Sequence, residues 1–286
     1  MSRRWRVALG LAPALAALAA VFGGALVGSL LQSLGHAPHF GVEEFPTLRF
    51  YRAVLGDPAL VGALVRTLWT ALPPTVIGAG LGLALGLALA RRRGPSVVLA
   101  QLPLLVPYVV AVALAVLWLS PGGLVARAGA GLGLIATPQE FPRLLDGAGA
   151  WGVMLTLLWK QVPFTALLVA AVRAGADPLL DDVATVFGAN RLQAFRYVVW
   201  PHVWPAVVAA TVITLAYNLG TLEVPLLIDG GTRDTLAVSA WRAYGDADVG
   251  RRPEAMALAW TMTALALACA ASLLAAARRW FPGGRG

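Results

Sequence analysis

Lysine occurs once in this chain, cysteine once and histidine three times, and only 13% of the residues are charged. Each scarcity excludes something. The single lysine, Lys160, follows Trp159, so there is no Gly-Lys-Ser/Thr phosphate loop and no site for ATP of that kind. Any ATP-driven work must take its hydrolysis from another polypeptide. Cys269, lying in an apolar run, rules out a disulfide framework. His36 and His39 stand beside Glu43 and Glu44, but Pro38 breaks a shared helical face and no second ligand pair exists, so no metal site is assigned. His202 follows Pro201 and reads as an interfacial residue rather than a base. With no Ser-His-Asp or Cys-His spacing, neither catalytic residues nor a cofactor are expected, and the chain does not read as an enzyme. The net charge of +8 raises nucleic acid as a partner, yet the arginines punctuate apolar runs instead of forming a patch. No nucleic-acid partner is expected; membrane lipid is.

What the chain has in abundance is apolar length: 59% hydrophobic residues and a mean hydropathy of +0.75. About 20 helical residues, at ~1.5 Å each, cross a ~30 Å hydrocarbon core. Six stretches meet that length, at about 7–31, 67–90, 97–119, 151–172, 203–228 and 254–277. The expected fold class is therefore all-α, a polytopic protein read as a single transmembrane domain over 1–286. The first stretch follows Arg3, Arg4 and Arg6 but exceeds the ~7–15 residues of a signal-peptide core. Gly78, Gly82 and Gly86 recur every fourth residue, so another helix can approach that face closely. Arg91, Arg92 and Arg93 end the second span. Pro103 and Pro107 fall in the third and are expected to kink it. Segments 35–60 and 120–150 read as loops, the second rich in glycine. With the N-terminus in the cytoplasm, twelve basic residues fall inside, among them Arg91, Arg92, Arg93, Arg278 and Arg279, against eight outside. Both termini are then cytoplasmic.

Two ionisable residues fall within spans, where a charge costs several kcal/mol or more (~3 at the least) unless paired or hydrated. Lys160 lies near the middle of the fourth span. Glu223 lies in the outer part of the fifth, amid Tyr217, Asn218, Thr221 and Pro225. One reading pairs the two with each other or with backbone groups, holding helices together. The other makes Lys160, Asn218 and Glu223 the lining of a polar path.

The segment 177–201 looks like folded helix rather than connecting loop. Asp177 can cap a helix with Pro178 at its first position. Leu179, Val183, Val186 and Phe187 form one apolar face. Gly188 suits a left-handed helix end, and Asn190 can cap a second short helix running through Leu192, Phe195 and Tyr197 before Pro201. The inside placement makes this pair cytoplasmic.

This segment resembles the signature loop of bacterial binding-protein-dependent ABC importer permeases: Glu-Ala-Ala, three residues, Gly, nine residues, Ile-x-Leu-Pro. Asp182, Val183 and Ala184 take the first places, Gly188 the next landmark, and Val198, Trp200 and Pro201 the end. Asp for Glu keeps the charge and Val for Ile keeps the shape; Val183 for Ala and Trp200 for Leu are further departures. The resemblance implies an inner-membrane permease of an ATP-driven importer, in which the loop is a coupling helix docked on an ATPase subunit. Coupling would then fall to Asp182, Val183, Ala184, Phe187, Gly188, Ala189, Phe195 and Pro201. It further implies as partners an ATPase dimer, a second permease, identical or homologous, and a periplasmic solute-binding protein. Glu223-Val-Pro-Leu-Leu-Ile-Asp-Gly-Gly and Arg252-Pro-Glu-Ala-Met-Ala are similar to the spermidine/putrescine-type branch, which is grouped with iron, thiamine and phosphonate importers; Trp159-Lys-Gln-Val-Pro-Phe resembles the sugar permeases. Two other classes require features of their own. A lipid-handling membrane enzyme needs clustered His or carboxylates at one membrane face, and a lone secondary transporter needs an inverted repeat; neither is evident.

Overall fold

The computed structural model describes residues 3–280 apart from Arg93, Pro178, Gly231 and Thr232. In chain order, α1 (Arg3–Leu18) passes through a π turn (Ala19–Gly23) into α2 (Gly24–Ser33), and a small antiparallel hairpin pairs β1 (His36–Ala37) with β2 (Val42–Glu43). Then come α3 (Arg49–Gly56), α4 (Pro58–Leu89), α5 (Pro95–Leu105), α6 (Tyr108–Leu119) and α7 (Leu124–Gly131). These are followed by α8 (Trp151–Ala174), α9 (Leu179–Val186), α10 (Arg191–Ala194), a second π turn (Phe195–Val199) and α11 (Trp200–Gly220). The chain closes with α12 (Glu223–Asp229), α13 (Leu236–Tyr244) and α14 (Arg252–Trp280).

Six helical stretches are long and apolar enough to cross a bilayer: Leu9–Ser33, Pro58–Leu89, Tyr108–Gly131, Trp151–Ala174, Arg191–Gly220 and Val249–Arg279. The count and the helical class agree with the sequence reading. Several boundaries do not, and each departure has a local cause. The second span starts at Pro58 rather than near residue 67, with Asp57 Oδ1 accepting from the Ala59 amide at 2.8 Å. Asp57-Pro58 repeats the Asp-Pro helix start of 177–178. The third span is broken rather than kinked: Val106 is extended (ψ 124°) before Pro107, since proline excludes the α conformation from the residue ahead of it. Pro103 stays inside α5. Segment 120–150, expected as loop, contains α7.

The fifth span begins early and ends early. The second short helix expected to stop before Pro201 does not stop; α10, the π turn and α11 form one helical run. Pro201 lacks an amide and its ring crowds the carbonyl four residues back, Tyr197. The π turn at Phe195–Val199 lies over that position. At the other end, Thr221 is extended (ψ 131°), so Glu223 opens α12 instead of lying within the span.

By packing, the chain divides into two compact units, 1–63 with 236–263, and 64–235 with 264–286. In the first unit the Ser33 and Tyr51 hydroxyls share a hydrogen bond of 2.7 Å, and Trp260 Nε1 donates to Ser29 Oγ at 3.2 Å. The Arg252 guanidinium lies 4.6 Å from the Phe40 ring and 5.1 Å from that of Tyr244.

The second unit is built around α8, the most buried of the six spans. Its Val169 packs with Val203 and Val207 of α11, while Val153 and Leu157 pack with Val112 of α6 and Val224 and Ile228 of α12. Ala71 of α4 joins Leu215 and Leu219 of α11 in a third cluster. Lipid is as apolar as these side chains, so close fit rather than escape from water holds the helices together. The glycine stripe is where the fit is tightest. A Cβ on Gly82 would stand 2.4 Å from Thr165 Cβ, and one on Gly86 2.6 Å from the Ala166 carbonyl oxygen.

Candidate coupling loop and membrane path

The 177–201 segment is held by its own hydrogen bonds. Asp177 Oδ1 accepts from the Leu179 amide at 3.0 Å, capping α9. Pro178 and the Asp182 side chain lie outside the described residues, although Asp182 belongs to α9. At the far end, Gly188 is left-handed (φ +75°) and the Ala189 amide donates to the Ala184 carbonyl at 3.0 Å, closing a Schellman turn. Asn190 and Gln193 then cap each other reciprocally, at 2.8 and 2.9 Å, opening α10. Phe195 lies 6.0 Å from Trp200, and Trp200 4.8 Å from Trp204, centroid to centroid. His202 Nε2 is 3.1 Å from the Val172 carbonyl oxygen, tying the start of α11 to the end of α8.

This capped backbone displays apolar side chains outward. Val186 is 83% exposed and Phe187 85%, with Val183 also exposed; Leu192 and Tyr197 add to the surface. Ala184, Ala189, Phe195 and Pro201 are half-buried. A bare helical face of this kind is suited to receiving another protein.

The residues expected along a path fall into two groups. Lys160 Nζ donates to the Val106 carbonyl, which the α5–α6 break leaves without a helical partner, and lies 4.6 Å from the centre of the Tyr108 ring. Tyr108 stacks on Tyr217 (4.8 Å, 21°), whose hydroxyl donates to Glu223 Oε1 at 2.9 Å. Lys160 and Glu223 thus take different partners, joined through two stacked tyrosines at the meeting of two helix breaks. Discontinuous helices with unpaired backbone groups are where membrane transporters place solute sites. Asn218 lies elsewhere, 3% exposed between three spans. Its Oδ1 accepts from Gln161 Nε2 of α8, and its Nδ2 donates to Thr75 Oγ1 of α4 at 2.9 Å.

Sequence reasoning missed a further charged pair. Arg66 of α4 donates through Nη2 to Asp229 Oδ2 at the end of α12, and both side chains are buried. Reading Asp57-Pro58 as a helix start would have placed Arg66 inside a span and prompted the search for its partner. Among the described residues, no three His, Cys, Asp or Glu side chains converge as a metal site needs.

The sequence pattern of the family described as "Binding-protein-dependent transport system inner membrane component" matches residues 58–282. The chain belongs to this family. It is similar to a probable ABC transporter permease of Pyrococcus horikoshii, 28% identical over 220 residues, covering 66% of this chain and 70% of that one. It is similar also to the sulfate transport system permease of Salmonella typhimurium, 26% identical over 184 residues, 63% of either chain. Its fold matches a solved bacterial alginate ABC transporter, in complex with an alginate pentasaccharide-bound periplasmic protein, with a TM-score of 0.79 at 19% identity over 97% of this chain and 95% of that one. This ABC importer permease is a multi-pass inner-membrane component, and the match spans α4 to α14, including the capped loop and both helix breaks.

Proposed function

We propose that this permease takes its driving force from a separate ATPase dimer through the 177–201 loop. The observation that carries the reading is the exposed Val183–Val186–Phe187 face on a backbone capped at both ends and continuous with the fifth span. A rigid connection of this kind passes on rigid-body motion that a flexible loop would absorb. The excess of arginine on the loop's side supports a cytoplasmic placement for it and for both termini. A second permease, identical or homologous, completes the path, and a periplasmic binding protein delivers the solute. The two packed units work as one transmembrane domain in this reading, since α4 and α14 each run through both.

Lys160 and Glu223 border the path, and Asn218 fixes the helices behind it. The half-buried Glu223 carboxylate supports a cationic, polyamine-type solute. The Lys160 ammonium favours an oxyanion instead, as the name of the sulfate-system relative suggests. Ligand screening of the cognate binding protein decides between them: spermidine or putrescine binding supports the first, sulfate or molybdate the second. Coupling is tested with Gly188→Asp and Phe195→Ala, both expected to insert normally and to lose binding-protein-stimulated ATP hydrolysis. Normal stimulation in a reconstituted Gly188→Asp complex overturns the coupling assignment.

A further inference from the structure

α12 is a seven-residue helix with a backbone joint at each end, extended at Thr221 (φ −67°, ψ 131°) and left-handed at Gly230 (φ +57°). A carboxylate sits at either end. Glu223 at the start accepts from Tyr217; Asp229 at the finish is 4% exposed and accepts from Arg66. Arg66 Nη1 also donates to the Ala148 carbonyl at 3.4 Å, and Trp69 Nε1 to that of Gly149 at 3.1 Å. One turn of α4 therefore grips both the end of α12 and the residues leading into α8.

The grip is an unusual one for a site that needs only adhesion. Well-packed apolar residues of the same volume hold helices as well as a buried ion pair, often better, because they incur no loss of hydration. Arg66 Nε, moreover, is buried without a hydrogen-bond partner. What an ion pair offers and a hydrocarbon contact does not is that each group, once parted, can take another polar partner, water included. The arrangement fits a contact that is made and broken.

We propose that Arg66 and Asp229 are positioning residues for transport, a releasable pin. Paired, they fix the far end of α12 and hold Glu223 against Tyr217. Parted, they free α12 to turn about Thr221 and carry Glu223 away from the stacked tyrosines. The proposal rests on the permease reading; the consequence drawn for Glu223 rests in addition on that residue bordering the path.

The test uses the assembled transporter in lipid vesicles, with Cys269→Ala to remove the native thiol. Arg66→Cys with Asp229→Cys, joined by a bis-methanethiosulfonate linker and checked by mass spectrometry, makes the pin permanent. Binding-protein-stimulated ATP hydrolysis, measured against the same double variant before linking, is expected to fall at least tenfold on linking and to recover to that unlinked level on reduction with dithiothreitol. Arg66→Met with Asp229→Leu supplies a second measurement independent of linking: it is expected to keep its melting temperature within a few degrees and to lose at least tenfold in stimulated hydrolysis. Full turnover of the linked transporter, or of the apolar pair, overturns the pin. Glu223→Gln in the same vesicles keeps the two ideas apart. If that variant turns over normally while linking still stops the cycle, the pin stands and the role given to Glu223 falls.

Discussion

Gly82 and Gly86 sit where α4 and α8 approach most closely, with a built Cβ already within 2.4–2.6 Å of a neighbour. Gly86→Val is expected to destabilise the protein by about 1–3 kcal/mol, the usual penalty of overpacking, read as a lower midpoint when detergent-solubilised protein is heated and resolved by size. Gly80, whose added Cβ meets nothing, is the control and should tolerate alanine without change. Gly188 is a different case: no atom crowds it, so its requirement is conformational, and Gly188→Ala is expected to loosen the turn by about 1 kcal/mol. Residues of this kind are legible in the sequence because their causes are local: a four-residue spacing, a cap, a left-handed turn. The Arg66–Asp229 pair was not, because its members stand 163 residues apart and neither one's neighbours mark the other.

Asn218 shows how a span-embedded polar residue can serve packing. It joins α4, α8 and α11 through Thr75 and Gln161. Asn218→Leu strands the Gln161 amide in a dry interface and is expected to cost about 1–2 kcal/mol. Adding Gln161→Met and Thr75→Val should recover most of it, which thermal unfolding of the triple variant would show. Lys160→Met removes the group that caps the Val106 carbonyl at the α5–α6 break; stimulated ATP hydrolysis should fall several-fold while the unfolding midpoint moves little, because Pro107 holds the break by itself. The breaks themselves were only half visible. Proline at 107 announces a disturbance, but a kink and a full break start from the same residue, and the lysine that meets the freed Val106 carbonyl lies on another span. Pro225, whose ring crowds the carbonyl four residues back at Thr221, marks the end of the fifth span in the same way, yet the apolar run continues to Ile228 and carries the sequence reading of that span, Glu223 included, past the break.

For the assembled molecule the decisive expectation is compositional. Purification through a tag on this permease should recover an ATPase subunit, and Val186→Asp with Phe187→Asp should lose it while the permease still reaches the membrane. Retention of the ATPase by that variant would move the docking face away from α9. Six spans and a fold class were within reach of hydropathy alone, since bilayer thickness sets helix length whatever the sequence; the division into two packed units was not, because it depends on which helices touch.

The join between the capped loop and the fifth span carries a mechanical corollary. Arg191–Gly220 is a single run of 30 residues, roughly 45 Å of rod, so a tilt of about 10° at one end sweeps the other through roughly 8 Å. That stroke would arrive at the Thr221 joint, beside Glu223, having crossed only the π turn at Phe195–Val199 and the prolines that follow it. A hand's-breadth lever of this sort needs no relay of intermediates: whatever turns α10 turns the doorway to α12 in the same instant.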